Sequence, residues 1–217
     1  MAPFKDGFFI SFEGGDGAGK TTQIHRLSKR LEAAGRKVVL TREPGGSTGA
    51  EMIRSLLVEG PVDRWSPLTE ALLMAAARRD HLERTILPAL QTGAVVITDR
   101  FADSTMAYQG IAGEAGRENV AALTDLTVGK HRPDLTLILD IDVDEGLRRA
   151  SGRGGEETRF ESKGSEFQRQ VRAAFQEIAH NDPARCVIIK ADASVDEIAE
   201  AVWRAVAAKA PGLVGGG

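Results

Sequence analysis

The chain of 217 residues contains a single cysteine, Cys186. One thiol excludes a disulfide framework and a Cys-x-x-Cys metal or redox pair, and Cys186, standing before "VII", reads as a small buried apolar residue. An excess of basic charge is also missing: 28 Lys and Arg against 31 Asp and Glu leave a net charge of −3. That argues against a sequence-independent nucleic-acid binder, which works through a basic surface, while leaving room for local basic clusters that face small anions. No stretch approaches the ~20 apolar residues of a membrane span. The N-terminal "MAPFKDGFFISFEGGD" has neither a long h-region nor a small-residue cleavage site. The expectation is a cytoplasmic protein with no membrane partner. The four histidines, His25, His81, His131 and His180, are scattered without ligand spacing, so surface or helix-end positions are expected rather than a metal site. Internal repeats and linkers are absent, and so is the N-K-x-D guanine reader of switch GTPases.

What is present suits one soluble domain: 42% hydrophobic residues at this length are enough for a single core. Apolar runs alternate with helical periods. "FFISFE" (8–13) ends in a glycine loop, and Ile24, Leu27 and Leu31 then recur at helical spacing until Gly35. "KVVLT" (37–41) is the next strand, followed by a helix around 48–58. A longer helical stretch begins after Ser66-Pro67 and runs to about Leu90, with a distortion near Pro88. "AVVITD" (94–99), "LTLILD" (135–140) and "CVIIK" (186–190) are further strands, and 195–208 is a closing helix. Unbroken apolar strands alternating with helices mean an α/β fold with a parallel sheet covered on both faces. Ligands of such sheets bind outside the C-terminal ends of the strands, and the motifs below follow such ends. The end of the chain, "APGLVGGG", reads as a frayed tail from 211 to 217.

Gly14, Gly19, Lys20 and Thr21 fit G-x-x-x-x-G-K-[ST] between a strand and a helix. Glycines let backbone N–H groups turn inward, and the helix N-terminus adds its positive end. The expected ATP contacts are Gly14, Gly15, Asp16, Gly17, Ala18, Gly19, Lys20, Thr21 and Thr22. Lys20 is expected at the β- and γ-phosphates and Thr21 on Mg²⁺. The loop also raises a question, because an acid, Asp16, sits within an anion cradle that has no arginine.

Arginines lie elsewhere, in "TREPGG" (41–46), "AARRDH" (76–81), "DRFADSTMAYQG" (99–110) and at Arg54. Arg is suited to forked recognition of phosphate. So many cations point to an enzyme that joins two mutually repelling polyanions, a kinase whose acceptor is itself phosphorylated. Arg64, Arg79 and Arg84 read as solvated surface charges. Arg42 is open between a loop brace and an anion contact. The polar, glycine-rich "SGRGGEETRFESKG" (151–164) has the composition of a lid whose Arg153 and Arg159 would fold over the donor phosphates; an ordinary exposed loop is the alternative.

Taken together, "FEGGDGAGKTT", "TREPGG", "DRFADSTMAYQG", "RPDLTLILD" and the lid resemble the thymidylate kinase family, in family order over nearly the whole chain. The pair "TREPGG" and D-R-x-x-D-S-x-x-A-Y-Q-G is far more specific than the phosphate loop alone. The resemblance implies a P-loop fold with a five-stranded parallel sheet, a single nucleoside-monophosphate kinase domain over 1–210 and a homodimer. It also implies transfer of the γ-phosphoryl of ATP, with Mg²⁺, to dTMP for dTTP synthesis. Arg100 would stabilise the transferring group, and Arg54 would help hold the acceptor phosphate. Arg78 would reach the thymine ring, with Thr105 and Gln109 lining its pocket, and Asp16 would lie near the sugar 3′-hydroxyl. Glu43 is placed near the acceptor and the metal-water shell, and Asp99 near Mg²⁺ through water. Gly17, with Arg153 and Arg159, matches the bacterial branch that supplies its catalytic arginine from the lid.

Two positions depart from the family pattern. A phenylalanine often stands four residues before the pocket arginine, where this chain has Met74; its polarizable thioether covers a ring less strongly, leaving open the tolerance of dUMP. The lid often reads Asp-Arg-x-Glu, where this chain has Thr158, Arg159, Phe160 and Glu161. The alternatives are a kinase of another nucleotide or deoxynucleoside and, from another class, a P-loop ATPase or switch.

Overall fold

The structure, a computed structural model, describes residues 7–61, 63–151 and 164–215. Five parallel strands run in the order β2-β3-β1-β4-β5: β1 (Phe8–Glu13), β2 (Val38–Arg42), β3 (Val95–Asp99), β4 (Leu135–Asp140) and β5 (Cys186–Lys190). The registers set Phe12 beside Asp99 of β3 and Glu13 beside Ile138 of β4. All six residues of β1 are buried, as a central strand covered on both faces requires. The edge strands β2 and β5 are only partly buried.

Period-two alternation sorts β1 between two cores. Phe8, Ile10 and Phe12 pack with Ile24, Leu27 and Leu31 of α1 (Lys20–Ala33) and with Ile198, Val202 and Val206 of the closing helix. Phe9 faces the other way, against Val96, Leu82, Ile86 and Phe101. Its ring meets Phe101 edge-on, with centroids 5.0 Å apart. Ser11 and Glu13 share the face of Phe9, so the chemistry-bearing side of the sheet becomes polar toward the strand ends.

Helix α2 (Thr48–Val58) packs on α3 (Pro67–His81), which starts at the Ser66 cap with Pro67 in its first turn. A π turn, Leu82–Ile86, joins α3 to α4 (Leu87–Gln91). The expected distortion thus sits just before Pro88, whose missing N–H and bulky ring disfavour a regular α ladder there. After β3 come α5 (Ala102–Thr105), a second π turn (Met106–Ile111) and α6 (Arg117–Thr127). Then follow α7 (Val143–Ser151), α8 (Gly164–Asn181) and α9 (Val195–Lys209). A reciprocal Ser194–Glu197 capping box fixes the start of α9.

The end of the chain corrects one expectation. Composition suggests a frayed tail from residue 211, but Pro211–Val214 forms one turn, α10, with Leu213 only 1% exposed in the core. Arg36 donates to the carbonyls of Gly212, Leu213 and Gly215. One buried leucine and three carbonyl contacts outweigh the local glycine content.

Candidate active site

The phosphate loop follows β1 and opens α1. Gly14 (φ 126°), Gly17 (φ 74°) and Gly19 (φ 89°) adopt conformations that L side chains rarely reach. Gly17 is constrained by space as well, since a Cβ there would lie 1.9 Å from the Gly146 carbonyl oxygen of α7. An arginine at this position is therefore excluded unless α7 moves. Gly15 is unobstructed, because a Cβ there would meet nothing within 4 Å. Ala18 is buried and Thr22 exposed.

Lys20 is 8% exposed and donates to the carbonyls of Gly14 (3.1 Å) and Gly15 (2.9 Å). Burial, with the Arg100 cation adding to it, lowers its ammonium to about 8. The phosphates of a bound nucleotide would reverse that shift by supplying the missing counter-charge. Thr21 Oγ1 donates to Asp99 Oδ2 at 3.1 Å. The two expected metal residues are thus brought together as hard oxygen groups, a donor set that suits Mg²⁺, which keeps several waters and takes few protein ligands. Among the described residues, no group of three or more His, Cys, Asp or Glu forms a metal cage.

Arg100 ends the turn after β3 in a left-handed conformation, φ 70°, which is strained for a non-glycine residue. Its backbone is held on both sides: its N–H donates to Phe12 O, and its carbonyl accepts from Thr98 Oγ1, both at 2.9 Å. The guanidinium reaches the phosphate loop, with Nη1 on Gly14 O (3.0 Å) and Ser104 Oγ (3.1 Å), and Nη2 on Asp16 Oδ1 (2.6 Å) and Tyr108 Oη (3.3 Å). Asp16 therefore has a partner that the motif does not disclose. It pairs with the cation of the neighbouring motif.

Beneath Arg100 lies a carboxylate to which the sequence reading gives no role. Glu13, fully buried, accepts from the Phe101 N–H (2.8 Å) and from Ser104 Oγ (2.5 Å). Burial pushes its carboxyl up to about 8, and the nearby Asp103 carboxylate adds to the rise. Its signal lies in "FFISFE", where an acid closes an otherwise buried strand. Asp103 is held by Arg185, at 2.5 and 3.1 Å, and Arg185 also donates to Thr136 Oγ1.

Opposite Arg100, α3 and the loop after β2 form a second cluster. Arg78 is 3% exposed. Its Nε donates to Glu43 Oε2 (2.7 Å), and its Nη2 to Thr105 Oγ1 (2.8 Å) and Phe101 O (3.2 Å). Glu43 also accepts from His81 Nδ1 at 3.0 Å. Gln109 donates to Glu70 Oε1 at 2.9 Å, both residues being buried. Arg54 donates to the Pro44 carbonyl. Met74, half-buried, lies one turn before Arg78 on α3. The structure thus brings Glu43, Arg78 and Thr105 into direct contact, whereas Gln109 is joined to Glu70 instead. His81 takes the helix-end position expected of it, closing α3, and there it is completely buried. Arg153 and Arg159 lie outside the described residues.

A phosphate loop at one strand end, a buried arginine–carboxylate cluster beside it and Arg100 reaching back to the loop are the arrangement of a P-loop phosphotransferase. Comparison with known proteins is more specific. The thymidylate kinase family model matches residues 12–202. Thymidylate kinase from Caulobacter vibrioides is 60% identical over 90% of this chain and 94% of its own length. The Ruegeria pomeroyi enzyme is 54% identical over 92% and 94%. The crystal structure of thymidylate kinase from Ehrlichia chaffeensis superposes with a TM-score of 0.74 at 36% identity, covering 92% of this chain and 97% of that one. The chain belongs to the thymidylate kinase family.

Proposed function

We propose that the protein transfers the γ-phosphoryl group of ATP to the 5′-phosphate of dTMP, giving dTDP and ADP for dTTP synthesis. Family membership supports the reaction, and the position of Arg100 supports the mechanism. Its guanidinium bridges the donor loop, at Gly14 and Asp16, to the helix that carries Ser104 and Tyr108.

An acceptor phosphate oxygen attacks the γ-phosphorus in line. A bond forms to that oxygen, the bond to the β-bridging oxygen breaks, and its electron pair leaves on ADP. The attacking oxygen is already anionic, so no strong general base is required. Catalysis is then positioning and charge stabilisation. Lys20 and the loop N–H groups hold the donor tail, and Arg100 faces the group in transit. Mg²⁺, held at Thr21 and Asp99, would neutralise charge on the donor phosphates. Arg54 meets the acceptor phosphate and Arg78 the base, with Glu43, Thr105, Gln109 and Met74 shaping the pocket; Asp16 orients the sugar and aims Arg100. Arg153 and Arg159 supply the cation that Gly17 cannot carry.

The partners are ATP, dTMP and a second copy of the chain, in the cytoplasm. No described helix is long and apolar enough to cross a membrane. The homodimer is supported by exposed apolar side chains on three helices that pack together: Met52 (70%) and Leu56 on α2, Leu68 and Leu72 on α3, and Leu126 (78%) on α6.

Removing a cation of this kind typically costs a factor of 10² or more in turnover. Arg100→Ala should therefore lose at least about a hundredfold in kcat while its circular dichroism and melting behaviour stay native-like. Near-normal kcat in a folded variant would remove Arg100 from the mechanism.

A further inference from the structure

His81 is 0% exposed. A polar ring is buried at low cost only when both nitrogens are paired, and here both are. Nδ1 meets Glu43 Oε1 at 3.0 Å and Nε2 meets Thr41 Oγ1 at 2.6 Å. A carboxylate can only accept, so Nδ1 donates to Glu43, while Nε2 and the Thr41 hydroxyl share the second hydrogen bond. Glu43 spends its other oxygen on Arg78 Nε. Thr41, His81, Glu43 and Arg78 thus form one chain of hydrogen bonds from half-buried Thr41 at the end of β2 to the buried Arg78 guanidinium.

The far end of that chain is constrained in turn. Arg78 Nη2 is fixed by Thr105 and the Phe101 carbonyl, while Nη1 makes no hydrogen bond among the described residues. The plane of the guanidinium is therefore set on two edges and one arm remains for a ligand. The loop after β2 also lies directly on the His81–Thr41 contact: a Cβ at Gly46 would be 2.4 Å from both His81 Nε2 and Thr41 Oγ1.

We propose that His81 is a positioning residue for recognition of the acceptor base: it aims Glu43, and through Glu43 it fixes the Arg78 guanidinium in the plane that meets the base. This rests on the role given above to Arg78. Steady-state kinetics with dTMP and ATP varied in turn, together with melting temperatures, test it on four variants. His81→Phe keeps a ring and removes both nitrogens, and His81→Asn restores a donor near Nδ1. Thr41→Val deletes one hydroxyl, and Arg78→Ala is the reference.

A hydrogen bond to a charged group carries about a tenfold effect. His81→Phe is expected to raise the KM for dTMP about tenfold and leave the KM for ATP within about twofold. His81→Asn should recover most of the dTMP value. An unchanged KM for dTMP in His81→Phe, an equal rise for ATP, or no recovery in His81→Asn would overturn the proposal. Should His81→Phe fail to fold, Thr41→Val decides: a selective rise in the KM for dTMP supports it and an unchanged value overturns it. The two layers separate cleanly. If Arg78→Ala raises the KM for dTMP while the His81 variants do not, His81 alone is refuted. If Arg78→Ala has no effect, the assignment of Arg78 fails and takes this one with it.

Discussion

Asp16 and Glu13 are two acids within three residues of one another, and their surroundings give them different work. Asp16 lies at the mouth of the loop against Arg100. Glu13 lies underneath, taking the Phe101 N–H and the Ser104 hydroxyl. Because burial lifts Glu13 from the ordinary carboxylate range to about 8, the folded protein holds a proton there that the unfolded chain releases above about 4.5. The folded state then binds more protons, so this group's stabilisation is full below about 4.5 and is lost as the pH rises through 8. Glu13→Gln, which keeps the shape and stays neutral, should flatten the fall in unfolding free energy between pH 5 and 8, measured by urea denaturation at several pH values. A slope unchanged from that of the parent protein would show that Glu13 is ionised throughout. The motif residues Gly14, Gly19, Lys20 and Thr21 were legible from spacing because phosphate binding constrains adjacent positions, whereas the role of Asp99 came from the family resemblance. Glu13, Tyr108 and His81 were not, since their roles depend on partners 91, 8 and 38 positions away that only folding brings near.

Elements carry the next level of constraint. Helix α7 presses its Gly146 against Gly17 of the phosphate loop, backbone on backbone. This contact gives a physical reason for the missing loop arginine: the space and the φ of 74° both reject a side chain. Gly17→Ala should lower the melting temperature of the nucleotide-free protein by about 4–10 °C, from overpacking of roughly 1–3 kcal/mol and an unfavourable φ. Gly15→Ala, where a Cβ meets nothing within 4 Å, should leave it nearly unchanged. Equal effects at the two glycines in differential scanning fluorimetry would contradict the packing account. Strands and long helices were readable from apolar periodicity, including the distortion before Pro88. The α10 turn was not, because Gly-rich composition says nothing of Leu213 finding the core or of Arg36 satisfying the terminal carbonyls.

At the scale of the molecule, the sheet order β2-β3-β1-β4-β5 sets the loops after β1, β2 and β3 side by side, which is why motifs about 25–90 residues apart in the chain become one site. The parallel sheet was legible from alternation alone, whereas the strand order was not, since apolar strands carry no label for their neighbours. The exposed leucines and Met52 on α2, α3 and α6 fit a subunit interface. Light scattering should give the mass of two chains, and Met52→Asp with Leu72→Asp should shift it toward one; a parent protein at the mass of one chain would contradict the dimer. Use of ATP as donor and dTMP as acceptor is tested by ADP release, in a coupled assay, across a panel of dTMP, dUMP, other nucleoside monophosphates, thymidine and no acceptor. The expected result is turnover that depends on an acceptor and is highest in kcat/KM for dTMP; preference for another acceptor, or ADP release with none, would contradict it.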